Sequence, residues 1–260
     1  MLQVNPSGQV VLLSAGPGDL ELLTLKAIRH LARADVLLLD DLVNPDIVTL
    51  APHARVLHVG KRGGCRSTPQ AFILRLMKRY AQRGARVVRV KGGEVLLFGR
   101  AGEEIQYLRQ HGIAVEIVNG VSAALAAAAS LQVSLTHRAW AAGVTLVTAH
   151  RQDGSEPDWA ALARGGTTLA IYMGISRLAK VVQALSCHLP PGTPIALVEA
   201  ASTAQERSLL STLGQVMDEA RPFQPRSPTM ILVGAALHAA TEARGKRPMR
   251  YCDNVSAFTA

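Results

Sequence analysis

The chain has 260 residues, of which 48% are apolar and 18% charged, so it can bury a full-sized core and is not a disordered chain. Its 28 Lys and Arg residues outnumber 19 Asp and Glu residues, giving a formal net charge of +9 that favours an anionic partner. Aromatic residues make up only 4% and form no base-stacking motif, which argues against a nucleic-acid partner. A solvated basic surface without a specific partner is the alternative interpretation of the charge.

Three cysteines, Cys65, Cys187 and Cys252, are widely spaced and match neither a disulfide framework nor the spacing of metal ligands. We therefore expect free thiols in a reducing cytoplasm and no metal site. Residues 1–9 lack the basic-then-apolar pattern of a secretion signal. The longest apolar stretch, Val121 to Leu131, is too short to span a bilayer. The sequence thus predicts a cytoplasmic protein without a membrane segment.

The first half of the chain alternates short apolar runs with amphipathic patterns. Buried parallel strands are predicted at Val10–Ala15, Val36–Leu39, Val56–Val59, Arg86–Val90 and Val115–Val118. Helices are predicted between them: one capped by Asp19, one beginning at Thr68-Pro69, one over Ala101–Gln110 and an alanine-rich one after Gly120. This alternation predicts an α/β domain with a mainly parallel sheet over residues 1–135.

The pattern restarts near Thr136 and predicts a second, smaller α/β domain over residues 136–243. Its strands are predicted at Val144–Thr148, Thr168–Tyr172, Ile195–Val198 and Met230–Val233, with a helix over Arg177–Leu185. Arg221 to Pro228 has the composition of a loop. Residues 244–260 are polar, basic and without periodicity, so we expect a loose tail.

Glycines or charged residues follow five predicted strands, and in open α/β sheets ligands bind outside the carboxyl ends of the strands. The glycine loops are neither a dinucleotide-binding fingerprint nor a phosphate-binding P-loop. One glycine turn alone is more often an ordinary tight turn, whereas five marked strand ends predict a ligand site. They are Gly16-Pro17-Gly18, Asp40, Lys61, Lys91-Gly92-Gly93-Glu94 and Gly120-Val121-Ser122-Ala123.

Several of these segments resemble the uroporphyrinogen-III C-methyltransferases, a family within the tetrapyrrole methylases. The resemblance runs in order from about Val10 to Val233. It rests on Gly16-Pro17-Gly18-Asp19, Val59-Gly60-Lys61-Arg62, Val88 to Gly93, Phe98-Gly99-Arg100 with Glu103-Glu104, Leu135-Thr136-His137-Arg138, Tyr172-Met173-Gly174 and Val198-Glu199.

The resemblance implies two α/β domains with the active site in the cleft between them, and a homodimer. It implies transfer of methyl groups from S-adenosylmethionine to C2 and C7 of uroporphyrinogen III. The products are S-adenosylhomocysteine and precorrin-2, which leads to sirohaem, cobalamin or haem d1. The implied cofactor-binding residues are Pro17, Gly92, Gly93, Glu94, Leu97, Ser122, Ala123, Met173 and Ala201.

The positions that the resemblance assigns to proton transfer are Asp40 and Lys61, and Arg100 is a third candidate that would assist electrostatically. A helix cap is the alternative role for Asp40, and a surface lysine at a strand end is the alternative for Lys61. The implied substrate carries eight carboxylates, which arginine binds in bidentate fashion. The predicted substrate-binding residues are Arg62, Arg100, Glu103, Arg138 and Met173. For each arginine, pairing with a nearby carboxylate is the alternative, and Glu103 and Glu104 offer such pairing to Arg100.

The loop at Lys91 departs from the family, which usually has Lys-Gly-Gly-Asp-Pro-Phe. Glu94 keeps the carboxylate on a longer side chain, and Val95 restores a backbone N–H that proline lacks. On this basis we expect Glu94→Asp to leave activity equal or higher, and we expect no fused dehydrogenase or ferrochelatase module. The alternatives are a methyltransferase of the same fold acting on another corrin precursor or an RNA ribose, or a catalytically weak tetrapyrrole-binding paralogue.

Overall fold

The computed structural model describes residues 8–60, 68–149 and 153–240. The predictions for Lys61, Arg62, Cys65 and Cys252 lie outside the described residues, as does the predicted tail over 244–260. Within these ranges the chain forms two five-stranded sheets with helices packed against them. The predicted α/β class is confirmed.

The first sheet is entirely parallel and has the strand order β3-β2-β4-β1-β5. Its central strands are buried along nearly their whole length, as expected for a parallel sheet with helices on both faces. Each observed strand begins and ends within one residue of its prediction. The strands are β1 (Gln9–Ser14), β2 (Val36–Leu39), β3 (Arg55–His58), β4 (Val87–Lys91) and β5 (Ala114–Val118).

Four α-helices accompany this sheet: α1 (Leu25–Ala32), α2 (Gln70–Ala81), α3 (Ala101–Gln110) and α4 (Ala123–Ser130). The predicted helix after Asp19 is in fact two pieces. Asp19 caps a short 3-10 turn by accepting a hydrogen bond from the Glu21 N–H at 2.8 Å. Thr24 then begins α1, because its hydroxyl accepts a hydrogen bond from the Ala27 N–H at 3.1 Å.

The second sheet has the order β6-β7-β10-β8-β9, and only β6 and β7 run parallel. Four of its strands match predictions: β6 (Val144–Thr148), β7 (Thr168–Tyr172), β8 (Pro194–Glu199) and β10 (Thr229–Val233). The fifth, β9 (Arg207–Thr212), was not predicted. Its helices are α5 (Trp159–Arg164), α6 (Leu178–Ser186) and α7 (Val216–Phe223). The loop predicted over Arg221–Pro228 is therefore wrong for its first three residues, because α7 continues to Phe223. This helix buries Val216 and Ala220.

The alanine-rich helix α4 follows the first sheet in sequence but packs in the core of the second. Its buried residues Ala124 and Ala127 belong to a cluster that includes Ala170, Ala196 and Leu232 of the second sheet. The short connection from β5 to α4 therefore carries the chain from one sheet to the other.

Cys187 is a free, exposed thiol. No helix in the described ranges is long and apolar enough to cross a membrane. Across those same residues, no group of three or more His, Cys, Asp and Glu side chains is arranged to hold a metal ion.

Candidate active site

The loops that follow β1 and β4 are paired through their backbones. The Gly16 N–H donates to the Gly93 carbonyl at 3.2 Å, and the Gly93 N–H donates to the Gly16 carbonyl at 2.6 Å. Both glycines have positive φ, +72° and +67°, which favours glycine at these positions. A Cβ atom added to Gly93 would meet no atom within 4 Å, so a ligand has open access to this backbone.

The loop after β5 is fastened to the loop after β4 by a carboxylate. Glu94 accepts hydrogen bonds from the Gly120 N–H at 2.7 Å and from the Leu96 N–H at 3.1 Å. The Leu97 N–H in turn donates to the Glu94 carbonyl at 3.0 Å, which closes a tight turn. Residues predicted for cofactor binding after β1, β4 and β5 are thus joined into one continuous set of loops.

Tyr172, at the end of β7, links the second sheet to these loops. Its hydroxyl shares a hydrogen bond with the Ser122 hydroxyl at the start of α4. Its ring lies against Phe98, with 4.8 Å between ring centroids. The exposed Met173 follows directly, so the structure brings the predicted residues Ser122 and Met173 to the same region.

A second link between the two halves joins the first glycine loop to the loop after β8. The Asp19 N–H donates to the Ser202 hydroxyl at 3.4 Å. Gly18 is packed so closely against this loop that a Cβ atom there would collide with Cγ2 of Thr203. The predicted cofactor residue Ala201 is buried beside these contacts.

Left-handed backbone is concentrated in the same loops. Of the seven non-glycine residues with positive φ in the described ranges, five lie there: Phe98, Arg100, Met173, Ala200 and Ser202. Such conformations are strained for residues with a Cβ atom and tend to gather where a ligand is bound. The strain therefore supports a functional role for the loops that the sequence motifs identified.

Asp40 contacts a group of buried charged side chains, Arg89, Glu104 and Lys91, through Arg89. Arg89 donates to its carboxylate at 2.9 Å, although the Arg89 side chain is only 2% exposed. The fully buried Glu104 pairs with Arg89 at 3.5 Å and with Lys91 at 3.1 Å. Burial lowers the pKa of the Lys91 ammonium, and the Glu104 charge partly offsets that shift.

Arg89 and Glu104 were not predicted as members of this group. A helix cap, the alternative role predicted for Asp40, is not what the structure shows. Asp40 follows β2, and its other oxygen accepts from the Asp41 N–H, while Asn44 caps the next 3-10 helix. An arginine inside the apolar run Val87-Val88-Arg89-Val90 was the available signal, because a buried guanidinium requires a partner.

Arg100 and Glu103 form an exposed bidentate ion pair. The two nitrogen–oxygen distances are 2.8 and 2.7 Å, and both side chains are about half exposed. The hydrogen bond from Arg100 lowers the pKa of Glu103, and the same bond raises the pKa of Arg100. Arg100 thus pairs with Glu103, as the helical spacing allows, whereas Glu104 turns inward to Lys91 and Arg89.

Arg138 stands apart from the other predicted residues. Within the part of the chain that the structure describes, its exposed side chain has no hydrogen bond or ion pair. The neighbouring His137 ring stacks on Trp140 at 4.0 Å between centroids, and Trp140 contacts His238 edge-on. The structure therefore leaves the Arg138 guanidinium available without joining it to the loop network.

The chain is similar to known proteins over most of its length. The Tetrapyrrole (Corrin/Porphyrin) Methylases family matches residues 9–217. A uroporphyrinogen-III C-methyltransferase of Pseudomonas aeruginosa is 53% identical over 229 residues, covering 88% of this chain and 94% of the relative. Siroheme synthase 2 of Aeromonas hydrophila is 44% identical over 233 residues, and the chain spans about half of its length (49%).

A solved structure is similar as well. Uroporphyrin-III C-methyl transferase from Thermus thermophilus, complexed with S-adenyl homocysteine, is 38% identical with a TM-score of 0.77. The match covers 89% of this chain and 100% of that chain. The family match over most of the chain, the identity to these relatives and the shared fold show that the chain belongs to the tetrapyrrole methylase family.

Proposed function

We propose that the protein transfers methyl groups from S-adenosylmethionine to C2 and C7 of uroporphyrinogen III. The products are precorrin-2 and S-adenosylhomocysteine, and precorrin-2 serves sirohaem, cobalamin or haem d1 synthesis. The observation that carries the proposal is that the paired glycine loops expose the Gly93 backbone. The chain that forms these loops is 53% identical to a uroporphyrinogen-III C-methyltransferase.

The loops fit S-adenosylmethionine because open backbone and small side chains lie together. Gly93 leaves room beside its backbone, and Ser122 and Met173 are brought together by the hydrogen bond between Ser122 and Tyr172. When bound, S-adenosylmethionine supplies an electrophilic methyl group. The protein's part is to hold the reactants in place and to exclude water. The residues that would hold the cofactor are Pro17, Gly92, Gly93, Glu94, Leu97, Ser122, Ala123, Met173 and Ala201.

The acidic macrocycle would meet both apolar and cationic side chains near these loops. Leu42, Leu96, Phe98 and Met173 are large apolar residues that are between 40% and 62% exposed. Arg100 lies in the same loop as Phe98 and presents a guanidinium whose geometry Glu103 fixes. We assign Arg100, Glu103, Arg138 and Met173 to substrate binding, with Arg62 as a further candidate.

Asp40 is the proposed base that removes a proton from the methylated macrocycle. Its side chain is 36% exposed, so the carboxylate is accessible although one oxygen accepts from Arg89 and the other from the Asp41 N–H. Arg100 would stabilise charge on the substrate electrostatically. Lys61 is the second candidate for proton transfer, on the strength of the family motif alone.

We propose two domains, with boundaries at residues 135 and 243, and an active site in the cleft between them. The contacts of Ser122 with Tyr172 and of Asp19 with Ser202 support this location, because each joins the two halves beside the predicted loops. We also propose a cytoplasmic homodimer that does not bind nucleic acid.

The deciding experiment is anaerobic incubation of the protein with uroporphyrinogen III and S-adenosylmethionine, followed by mass analysis. Addition of one or two methyl groups supports the proposal. Methylation of ribosomal RNA or of a later corrin precursor, but not of uroporphyrinogen III, would replace it with another activity of the same fold. Micromolar binding of S-adenosylhomocysteine by calorimetry without any methylated product would identify a tetrapyrrole-binding paralogue instead.

A further inference from the structure

The carboxylate of Glu94 accepts hydrogen bonds from other residues of the protein. One oxygen accepts the Gly120 N–H at 2.7 Å. The other accepts the Leu96 N–H at 3.1 Å and lies 3.4 Å from the side-chain nitrogen of Asn119. A charged acceptor on backbone donors makes a stronger hydrogen bond than a neutral one. Glu94 therefore ties the loop after β4 to the turn between β5 and α4.

Ser14, the last residue of β1, contacts the same two segments. Its hydroxyl accepts the Val95 N–H at 2.9 Å, in a contact where Ser14 and Val95 are both fully buried. Its main chain also supports the turn at Gly120. A Cβ atom added to Gly120 would lie 2.7 Å from the Ser14 Cβ and 3.0 Å from its carbonyl oxygen.

We propose that Glu94 and Ser14 are positioning residues that lock the loop after β4 and the turn before α4 into one unit. The inference rests on the proposed function, since the unit presents Ser122 and Ala123, which follow Gly120 by two and three residues, to the cofactor. Glu94 accepts the N–H groups of Gly120 and Leu96, while Ser14 accepts the N–H group of Val95. Neither residue needs to touch the cofactor for its loss to displace the residues that do.

The length of Glu94 is part of this arrangement. Aspartate is shorter by one methylene, about 1.5 Å, which takes its carboxylate out of hydrogen-bonding reach of Gly120. The contacts thus reverse the expectation drawn from the loop sequence, and Glu94→Asp should weaken the site. Glu94→Gln keeps an acceptor oxygen at full length and should preserve much of the link.

Amide hydrogen exchange in the ligand-free protein tests the link without relying on activity. We expect the Gly120 amide, followed by NMR, to exchange about tenfold faster in Glu94→Ala and Glu94→Asp, with protection largely restored in Glu94→Gln. Glu219→Gln, an exposed glutamate on α7, is the matched control and should leave Gly120 unchanged. Unchanged exchange at Gly120 in Glu94→Ala would overturn the proposal.

Binding of S-adenosylhomocysteine, measured by calorimetry, tests whether the link positions the site. Glu94→Ala and Ser14→Ala should each weaken binding roughly tenfold. The double variant should be little worse than either single one, because both release the same unit. Ser211→Ala, which alters a buried strand serine of the second sheet, is the control.

The outcomes separate this inference from the proposed function. Wild-type protein that neither binds S-adenosylhomocysteine nor methylates uroporphyrinogen III would remove the proposed function, while the exchange result would still decide the link. Fully additive losses in the double variant would mean that Glu94 and Ser14 act on the site separately rather than through one unit, which contradicts the inference. Should Ser14→Ala fail to fold, the exchange data on the Glu94 variants decide the question alone.

Discussion

The guanidinium of Arg89 reaches the Asp40 carboxylate from inside the first sheet, across 2.9 Å. Arg89 also donates to the carbonyls of Leu38 and Val90, both at 3.3 Å, so its position is fixed by its own strand β4 and by the neighbouring strand β2. Asp40 consequently has one oxygen held by a rigid, buried cation, while its side chain is still 36% exposed. A carboxylate anchored in this way keeps its orientation without help from a substrate, as the proposed base requires.

Arg89→Met should destabilise the protein by about 3–5 kcal/mol, because it removes one partner from a buried ion pair and leaves Lys91 as the one remaining cation beside Glu104 among the described residues. It should also lower kcat, because Asp40 loses its anchor. Denaturant unfolding and steady-state kinetics measure the two effects. Arg83→Met, at an exposed arginine, is the control. An Arg89→Met protein with wild-type stability and kcat would contradict both roles.

Gly93→Ala should abolish measurable binding of S-adenosylhomocysteine at a small cost in stability. The left-handed φ of +67° costs a residue with a Cβ atom about 1–2 kcal/mol, and the ligand-free protein has room for the added methyl group. That methyl group would occupy the space through which the ligand reaches the backbone. Calorimetry and thermal unfolding together give the required comparison.

Gly112 provides a matched control for this substitution. It has a φ of +68° and also nothing within 4 Å of an added Cβ atom, but it follows α3, at the opposite edge of the sheet from the loops. Gly112→Ala should therefore cost similar stability and leave binding intact. Equal loss of binding in both variants would show that the Gly93 effect is only backbone strain.

Tyr172→Phe should cost about 1 kcal/mol of stability and weaken cofactor binding, because the Ser122 hydroxyl loses its partner. A double-mutant cycle with Ser122→Ala should show coupling, since both variants remove the same hydrogen bond. Tyr107→Phe is the control, because the Tyr107 hydroxyl has no hydrogen-bond partner among the described residues. Purely additive effects of the Tyr172 and Ser122 variants would refute the link between the halves.

Stability should fall on acidification through Glu116. A hydrogen bond from Lys26, with 2.7 Å between nitrogen and oxygen, lowers the pKa of Glu116 from its ordinary value of 4.5. A lowered carboxyl pKa adds stability that is complete above about pH 4.5 and is lost as the pH falls through the folded-state pKa. Glu116→Gln should cost roughly 0.5–1 kcal/mol at pH 7, because the pair is partly exposed.

Denaturant unfolding of the wild type and Glu116→Gln between pH 3 and pH 7 measures this difference, which should shrink towards the acid end. Glu219→Gln should match the wild type at each pH, since Glu219 is exposed and makes no ion pair among the described residues. A constant difference across the whole range would show that Glu116 stabilises the fold by packing rather than by its charge.

Most strands could be predicted because each is a continuous apolar run between polar turns, as β2 shows with Val36–Leu39 at its predicted bounds. Strand β9 was missed because Arg207–Thr212 is polar at both ends and pairs along one edge only, with β8. Helix α7 was not predicted, and its last three residues fell within the loop predicted from Arg221. Pro222 lies within the last turn, where the helix ends anyway.

The candidate site was predictable where it depends on strand ends, since the carboxyl ends of parallel strands meet at one edge of a sheet. Contacts that depend on how two separate elements pack were not predictable. Glu104 lies one residue beyond the exposed Glu103, and only the burial of one helix face distinguishes them. The pairing of Ser122 with Tyr172 required the second sheet to be placed against the first.

The position of α4 has a consequence for folding. Because Ala124 and Ala127 complete the core of the second sheet, the first half of the chain cannot bury this helix by itself. A chain cut after residue 135 would expose an alanine surface, and the second sheet without α4 would have an open face. The two halves should therefore melt in a single cooperative transition, with the loops after β1, β4 and β5 losing their order at the same temperature as both cores.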